Sequence, residues 1–511
     1  MQFILLVLAS FGLLDSVYLT YKHFSETIVP CGTNVLVDCG AVLGSAYSEV
    51  FGIPLALLGA IHYGLLVLVL LLIIYTGKRV WKTVSLFQVT AGLLVSVYLI
   101  YIQLIMIGSI CLFCMGSAVI SLSLFLLVLK VFSNERRIIL IRATSVVYQY
   151  IIKHLLFQID AEKVHNNATS LGESVGKSDI AKKALGFAYN YENSVLEQKL
   201  SGINFRNPIG LAAGFDYEAR LTQVLPSMGF GFVSVGSITN MPYEGNPKPR
   251  LGRLPKSKSL LVNKGFKSSG AEKVSDYLRG YRFDIPVGIS IGRTNSAKLA
   301  TQKDSVKDIV AAFRIFEKKK IKNAYYELNI SCPNLIHSNN VTFYPPKNLK
   351  ELLDEVDKLK LKKPVYVKMP IDRTNGQTLA MLREIDNSSM QGVIFSNLQK
   401  DKKNPALVKE EVKKFKMGFY SGKPTYQRSN ELIKLTYRNY KDRFVIVGCG
   451  GVFTAKDAWE KITLGASLVQ LITGMVFMGP QIVADINADL AERCKQEGYR
   501  NIAEAVGTKV S

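Results

Sequence analysis

The first 133 residues contain four apolar stretches, 3–21, 51–75, 83–107 and 109–132, with only five Lys or Arg and four Asp or Glu. A helix needs ~20 apolar residues to cross a bilayer, and each stretch approaches or exceeds that length. The hydrocarbon offers no water to backbone N–H and C=O groups, so apolar runs of this length satisfy them internally, as helices. The block is therefore predicted to be an all-α, four-helix transmembrane bundle rather than a buried soluble core. Taken alone, the first run would also suit a cleaved signal peptide. It lacks a basic start and a small-residue cleavage site, and more spans follow.

The rest of the 511-residue chain is charged, with 58 basic and 36 acidic residues, a net of +22 against +1 for the apolar block. This split excludes a disordered chain and a wholly soluble one. Seven cysteines are ordinary usage and exclude a small disulfide-stapled fold. The basic excess shows no aromatic–basic repeat and no nucleic-acid module. We read it as a solvated face attracted to anionic membrane lipid, with no nucleic-acid partner.

Basic residues mark the cytoplasmic loops. Lys78, Arg79 and Lys82 lie between the second and third runs; Lys130, Arg136 and Arg137 follow the fourth. Loop 22–50 and the turn near 108–111 then face outward, and both carry cysteines: Cys31 and Cys39 in one, Cys111 and Cys114 in the other. The second pair is a CxxC at the start of a helix, where the positive end of the dipole favours a thiolate. Two pairs on the oxidising side suit thiol–disulfide exchange through a mixed disulfide. A structural loop disulfide and a four-thiolate zinc site are the alternatives, although C-x7-C is wide for a zinc knuckle. No metal site is assigned.

The C-x7-C-G loop, the stretch Tyr47-Ser48-Glu49-Val50-Phe51-Gly52-Ile53-Pro54 and Cys111-Leu112-Phe113-Cys114 together resemble the vitamin K epoxide reductase family, in its bacterial disulfide-forming form, over roughly 3–130. Ser48 matches a loop serine of that family. The resemblance implies that Cys114 faces a bound quinone, that Cys111 exchanges with the Cys31/Cys39 pair, and that a thioredoxin-like extracytoplasmic protein delivers electrons to that pair.

From about residue 209, eight β-rich runs alternate with helical stretches: 209–214, 231–238, 286–292, 325–331, 364–370, 392–397, 444–451 and 467–474. This is the pattern of one α/β (β/α)8 barrel, whose active sites form at strand C-termini. Gly450, Gly451, Thr473 and Gly474 follow the last two strands, where barrels commonly bind phosphate. Asn329 and Asn334 flank Cys332 after the fourth strand. Amides of this kind offer donors and acceptors to a planar imide, and a thiol of lowered pKa acts as a proton acceptor. An inert buried cysteine is the plainer alternative. Lys368 ends the fifth strand, where it would neutralise a reduced cofactor ring or make a lid salt bridge.

Asn207-Pro208-Ile209-Gly210-Leu211-Ala212-Ala213-Gly214-Phe215-Asp216, Gly245-Asn246-Pro247-Lys248-Pro249-Arg250-Leu251 and Gly465-Ala466-Ser467-Leu468-Val469-Gln470 resemble dihydroorotate dehydrogenase, over roughly 145–508. Leu155 to His165 matches the quinone-dependent class, in which two amphipathic helices form a quinone tunnel. The resemblance implies FMN in the barrel mouth, contacted by Ala213, Gly214, Lys368, Ser396, Gly450, Gly451, Thr473 and Gly474. It implies dihydroorotate and orotate on Asn329, Asn334 and Asn397, with Asn263 a weaker candidate, and Cys332 as the base. His165 and Arg253 resemble quinone-site residues, and the electron acceptor is the membrane quinone pool. Several positions depart from the pattern. Cys332 replaces the serine usual in this class, Tyr217 a flavin-site lysine, and Leu398 a Thr or Ser. The segment Val262-Asn263-Lys264-Gly265-Phe266 is one residue short.

The expected plan is a membrane domain at 1–133, a linker with quinone-tunnel helices at 134–200, and the barrel at 201–511. The protein would sit in the inner membrane as a multi-pass chain, with its barrel cytoplasmic and its cysteine pairs outside. Two rival readings stay open: a different dihydropyrimidine or enone substrate for the barrel, and a membrane domain that serves only as anchor and quinone dock.

Overall fold

A computed structural model of the chain describes residues 2–25, 31, 37–337, 341–395 and 397–510; Ser396, expected to bind cofactor, lies outside them. The chain divides into two compact units, Met1–Leu140 and Ile141–Ser511.

In the first unit, four helices are long and apolar enough to span a membrane among the described residues. These are α1 (Gln2–Phe24), α2 (Leu55–Thr76), α3 (Arg79–Tyr101) and α4 (Leu112–Val131). α3 runs on as a π-helical stretch, Ile102–Ile107, and stops at Gly108 in the left-handed conformation, φ 73°. Lipid tails are as apolar as leucine, so close packing and hydrogen bonds, rather than the hydrophobic effect, hold such helices together. Gly12 of α1 meets the ring of Tyr63 on α2, where a Cβ would stand 2.5 Å from the ring. The Tyr63 hydroxyl in turn bonds Ser117 and Ser121 of α4, at 3.0 and 2.9 Å. Leu5, Leu66, Leu70, Leu124 and Val128 fill the space between.

In the second unit, the amphipathic helices α5 (Ala161–Gly176) and α6 (Asp179–Tyr189) precede the barrel. Asp160 and Ser178 cap their N-termini, as short polar side chains do. The barrel strands are β1 (Ile209–Leu211), β2 (Phe232–Ile238), β3 (Val287–Gly292), β4 (Tyr325–Asn329), β5 (Val365–Lys368), β6 (Gly392–Phe395), β7 (Val445–Cys449) and β8 (Leu468–Leu471). All pair in parallel and in sequential order, and Val469 opposite Ile209 closes β8 onto β1. Each lies within a run expected from the sequence.

The period of two along a strand layers the interior. On β4, Tyr325, Glu327 and Asn329 point inward at successive levels. The floor is apolar: Phe232, Tyr325, Tyr366, Ile394, Val447 and Leu468, covered by Phe205. Above it, Gln470 donates to Glu327 at 2.8 Å and to Ser234 at 2.9 Å. Asn329 and Lys368 form the top layer, at the C-terminal mouth. The closed floor leaves that mouth as the end where the interior can take a ligand.

Candidate active sites

One end of the membrane unit gathers all four cysteines. Cys39 and Cys111 are buried in one cluster with Leu19 and Val42, and Cys31 and Cys114 pack against it. Backbone pairing brings them together: Val37 bridges Ile110, and the Asp38 N–H donates to the Ile110 carbonyl at 3.1 Å. Cys31 and Cys39 form a disulfide with Cα atoms 5.9 Å apart, while Cys111 and Cys114 are thiols. Hydrogen bonding from the Cys114 side chain, aided by backbone N–H groups at the start of α4, lowers the Cys111 thiol to about 7 against burial. A thiol titrating there is a competent nucleophile at neutral pH.

Two residues outside the motifs also act here. Gln103, in the π-helical stretch, accepts the Cys111 N–H at 2.9 Å and holds the CxxC turn. Asp15 of α1 acts electrostatically on both thiols, and its Oδ2 is buried with no hydrogen-bond partner. Tyr18, one turn further on, meets the Phe113 ring at 5.5 Å and so presses this face of α1 against the CxxC. An amide and a carboxyl within apolar spans are costly, and that cost was the available signal.

The barrel mouth collects the second set. The Asn397 side chain donates to Ser331 Oγ at 2.6 Å, Ser331 donates to Asn329 Oδ1 at 2.9 Å, and Asn329 donates to Ser237 at 2.8 Å. A second network centres on Asn246, which donates to Asn263 Oδ1 at 3.0 Å and to the Asn334 carbonyl at 2.9 Å. Asn246 also accepts from Asn295, whose own Oδ1 accepts the His337 N–H. All four asparagines expected to bind substrate are thus tied into the mouth. The hub role of Asn246 and Asn295 is not legible in the sequence: Asn246 stands there only as a position of the Gly245–Leu251 motif, and Asn295 as a turn former.

Cys332 lies beside Asn329 and lines a cavity of 130 Å³ with Phe266, Arg293, Tyr344 and Lys400. One expectation is corrected here. A proton acceptor was expected to have a lowered pKa, yet burial pushes this thiol up to about 12; the Asn334 N–H, Lys368 and Lys400 oppose the rise without cancelling it.

Lys368 is buried and donates to the Ala213 carbonyl at 3.5 Å, joining the ends of β5 and β1. Beyond β7 the chain turns at Gly450 and Gly451, φ 113° and 71°, a region open mainly to glycine. A side chain at Gly451 would run into Tyr426, and one at Gly474 into the Val452 carbonyl. Thr473 exchanges a hydrogen bond with Ser421 at 2.7 Å, and a Cβ at Gly422 would stand 2.7 Å from Thr473 Cγ2. The strand Phe419–Tyr420 thereby delivers Ser421 and Gly422 to the same cradle, an approach invisible in sequence because it depends on an antiparallel pairing with Ser259–Val262. Beneath the turn, buried Lys461 donates to Ser429 at 2.9 Å, and Ser429 donates to the Cys449 carbonyl at 2.8 Å. No side chain can stand at Gly451, Gly474 or Gly422, and glycine turns of this kind can present backbone N–H groups to a phosphate. The residues present therefore fit a phosphorylated cofactor.

His165 of α5 bonds the Phe215 carbonyl at 2.8 Å, and burial, with Lys264 nearby, lowers its pKa. Arg253 donates to the Ile159 carbonyl at 2.6 Å and stacks on Phe157, 4.9 Å from the ring centre. Arg253 therefore contacts Phe157 and Ile159 ahead of α5, and His165 ties α5 to the turn after β1.

Fold and sites together define a membrane-associated oxidoreductase: a parallel barrel with an amide-lined mouth and glycine cradle, and a membrane unit with a dithiol beside a disulfide. The family model for dihydroorotate dehydrogenase matches residues 195–494, and that for the vitamin K epoxide reductase family matches residues 3–129. "Dihydroorotate dehydrogenase (quinone)" of Roseiflexus sp. (strain RS-1) is 34% identical over 368 residues, 71% of this chain and 98% of its own length. The protein of that name from Christiangramia forsetii is 33% identical over 351 residues, 68% and 99% of the two chains. A crystal structure of DHODH from Eimeria tenella in complex with ferulenol shares the fold, with a TM-score of 0.59 and 24% identity over 68% of this chain and 95% of that one. The chain belongs to the dihydroorotate dehydrogenase family and carries a vitamin K epoxide reductase family domain ahead of the barrel.

Proposed function

We propose that the barrel oxidises dihydroorotate to orotate with FMN in its mouth and passes the electrons to a membrane quinone. The membrane unit draws electrons from extracytoplasmic thiols into quinone and so generates disulfides. The observation that carries the first half is the convergence of Cys332, Asn329, Asn334, Asn397 and Lys368 on one strand-end face next to a glycine cradle. Gly450, Gly451, Thr473 and Gly474, with Ser421 and Gly422, would hold the FMN phosphate, and Ala213, Gly214 and Lys368 its ring. FMN, when bound, supplies the two-electron acceptor for the hydride leaving C6. The asparagines orient the pyrimidine by its imide edge, Cys332 takes the C5 proton as thiolate, and Lys368 holds positive charge near the ring. His165 and Arg253 line the quinone approach.

In the membrane unit, the dithiol of a thioredoxin-like partner reduces the Cys31–Cys39 bond by exchange, and that pair reduces the disulfide form of Cys111–Cys114. Two electrons and two protons lost by the partner's thiols leave on the quinone as quinol, with Cys114 toward the quinone. The close packing of Cys39 and Cys111 supports direct exchange and argues against a mere anchor. The basic loops support cysteine pairs outside the inner membrane and a cytoplasmic barrel.

Leu398, which offers no hydroxyl beside Asn397, favours a second reading with another dihydropyrimidine as substrate. Anaerobic addition of dihydroorotate to the purified full-length protein tests both readings. Prompt bleaching of the flavin absorbance is expected. Bleaching by dihydrouracil but not by dihydroorotate would overturn the first reading in favour of the second.

A further inference from the structure

Lys461 is 0% exposed on the helix Ala455–Thr463, at a position that none of the sequence motifs marks. A buried ammonium is costly unless an opposite charge meets it. Among the described residues its contacts are neutral. Its Nζ donates to Ser429 Oγ at 2.9 Å and to Asn430 Oδ1 at 2.8 Å, and stands 5.1 Å from the centre of the Tyr426 ring. The two carboxylates on its own helix are engaged elsewhere. Asp457 accepts the N–H groups of Phe453 and Thr454 at 2.9 Å, and Glu460 accepts from the Tyr426 hydroxyl at 2.8 Å and from Asn430 at 2.9 Å. Burial accordingly lowers the ammonium from 10.5 to about 7, although Cys449, Asp457 and Glu460 oppose the shift.

The contacts of Lys461 lead to the glycine turn after β7. Ser429 donates its own hydrogen to the Cys449 carbonyl at 2.8 Å, the shorter of its two carbonyl contacts. The Cys449–Gly450 peptide is trans, and the carbonyl and N–H of a trans peptide point in opposite directions. The Gly450 N–H therefore faces away from Ser429, toward the other side of the turn. Tyr426 makes a second link, since a Cβ at Gly451 would stand 2.5 Å from Tyr426 Cβ. Hydrogen bonds in a chain polarise one another, so a charge at Lys461 strengthens the partial positive charge on that N–H. A cation without a direct counter-charge, joined through one hydroxyl to a glycine turn, fits a dianion bound on the far side of the turn.

We propose that Lys461 is the buried counter-charge of the cofactor phosphate: a positioning residue that acts through Ser429 and the Cys449–Gly450 peptide and selects a phosphorylated flavin over an unphosphorylated one. The proposal rests on the FMN reading. The test compares FMN with riboflavin, which has the same ring and ribityl chain without the phosphate. Full-length wild type, Lys461→Met, Ser429→Ala and the double variant are stripped of flavin and titrated with each ligand, and quenching of flavin fluorescence reads binding. Met keeps the length of the side chain without its charge, and thermal unfolding shows that each protein is folded.

Wild type should bind FMN more tightly than riboflavin. Lys461→Met should lose about tenfold in FMN affinity, the scale of one charge-assisted contact, with riboflavin affinity unchanged. Ser429→Ala should shift the preference in the same direction, and the double variant should lose no more than Lys461→Met alone, because one path carries both effects. Unchanged FMN affinity in Lys461→Met, equal loss of both ligands, or additive losses in the double variant overturns the proposal and leaves Lys461 a role in packing its helix against Tyr426–Tyr440. A wild-type protein that binds riboflavin as tightly as FMN strikes instead at the phosphate cradle, and one that binds neither strikes at the flavin reading itself; either takes the proposal with it.

Discussion

The pH dependence of flavin reduction should expose the environment of Cys332. Burial moves its thiol from 9.0 to about 12. Three pH units at 1.36 kcal/mol each make about 4 kcal/mol against the thiolate. At pH 8 a thiol titrating at 9.0 is roughly one-tenth ionised, whereas one at about 12 is ionised in roughly one molecule in 10⁴. If Cys332 takes the C5 proton, anaerobic stopped-flow reduction by dihydroorotate should rise about tenfold per pH unit and still be rising at pH ~10. Cys332→Ala should lose a factor on the order of 10²–10⁴ with flavin retained. Lys400→Met removes one of the cations opposing the shift, so its curve should move to higher pH. The linkage sign follows. A folded pKa above the unfolded one stabilises the fold below pH ~9 and loses that contribution as pH rises toward ~12, and Cys332→Ala abolishes this part of the alkaline loss. A wild-type profile flat from pH 7 to 10, or wild-type rates in Cys332→Ala, would refute the assignment of the base.

Other outcomes follow from the same geometry. Cys31→Ala should stop oxidation of a thioredoxin-like partner while Cys111–Cys114 remains oxidisable by quinone; alkylation trapping in cells reads both, and normal partner oxidation defeats the relay. Asp15→Asn removes a negative charge that opposes ionisation of Cys111, so iodoacetamide should alkylate Cys111 in the reduced protein at lower pH than in wild type; an unshifted profile means that the carboxyl is electrostatically remote. Gln103→Leu leaves the Cys111 N–H without its acceptor and should cost about 1–3 kcal/mol at the CxxC turn, seen as slower reoxidation by quinone. Protease should cut the exposed Lys402-Lys403 loop in inverted inner-membrane vesicles but not in intact spheroplasts; the reverse pattern overturns the topology.

Much of this protein is legible in one dimension because the relevant forces act locally. Apolar runs long enough to span hydrocarbon locate four helices within a few residues, since unpaired backbone in lipid leaves little alternative. Alternating β-rich and helical runs locate all eight barrel strands, because a closed parallel sheet needs short buried strands joined by crossovers. Strand ends marked by Gly450-Gly451 and Asn329 to Asn334 point to the mouth. Contacts between distant segments are not written in any local pattern. The approach of Ser421 to Thr473, the Asn246 hub, the reach of Asp15 to the CxxC and the meeting of Lys264 with Tyr217 each join segments 17 residues or more apart in the numbering. The ionisation of Cys332 belongs with them. Its residue type suggests a willing thiolate, but desolvation is a property of what packs around a sulfur, and only the folded barrel decides that burial raises this thiol.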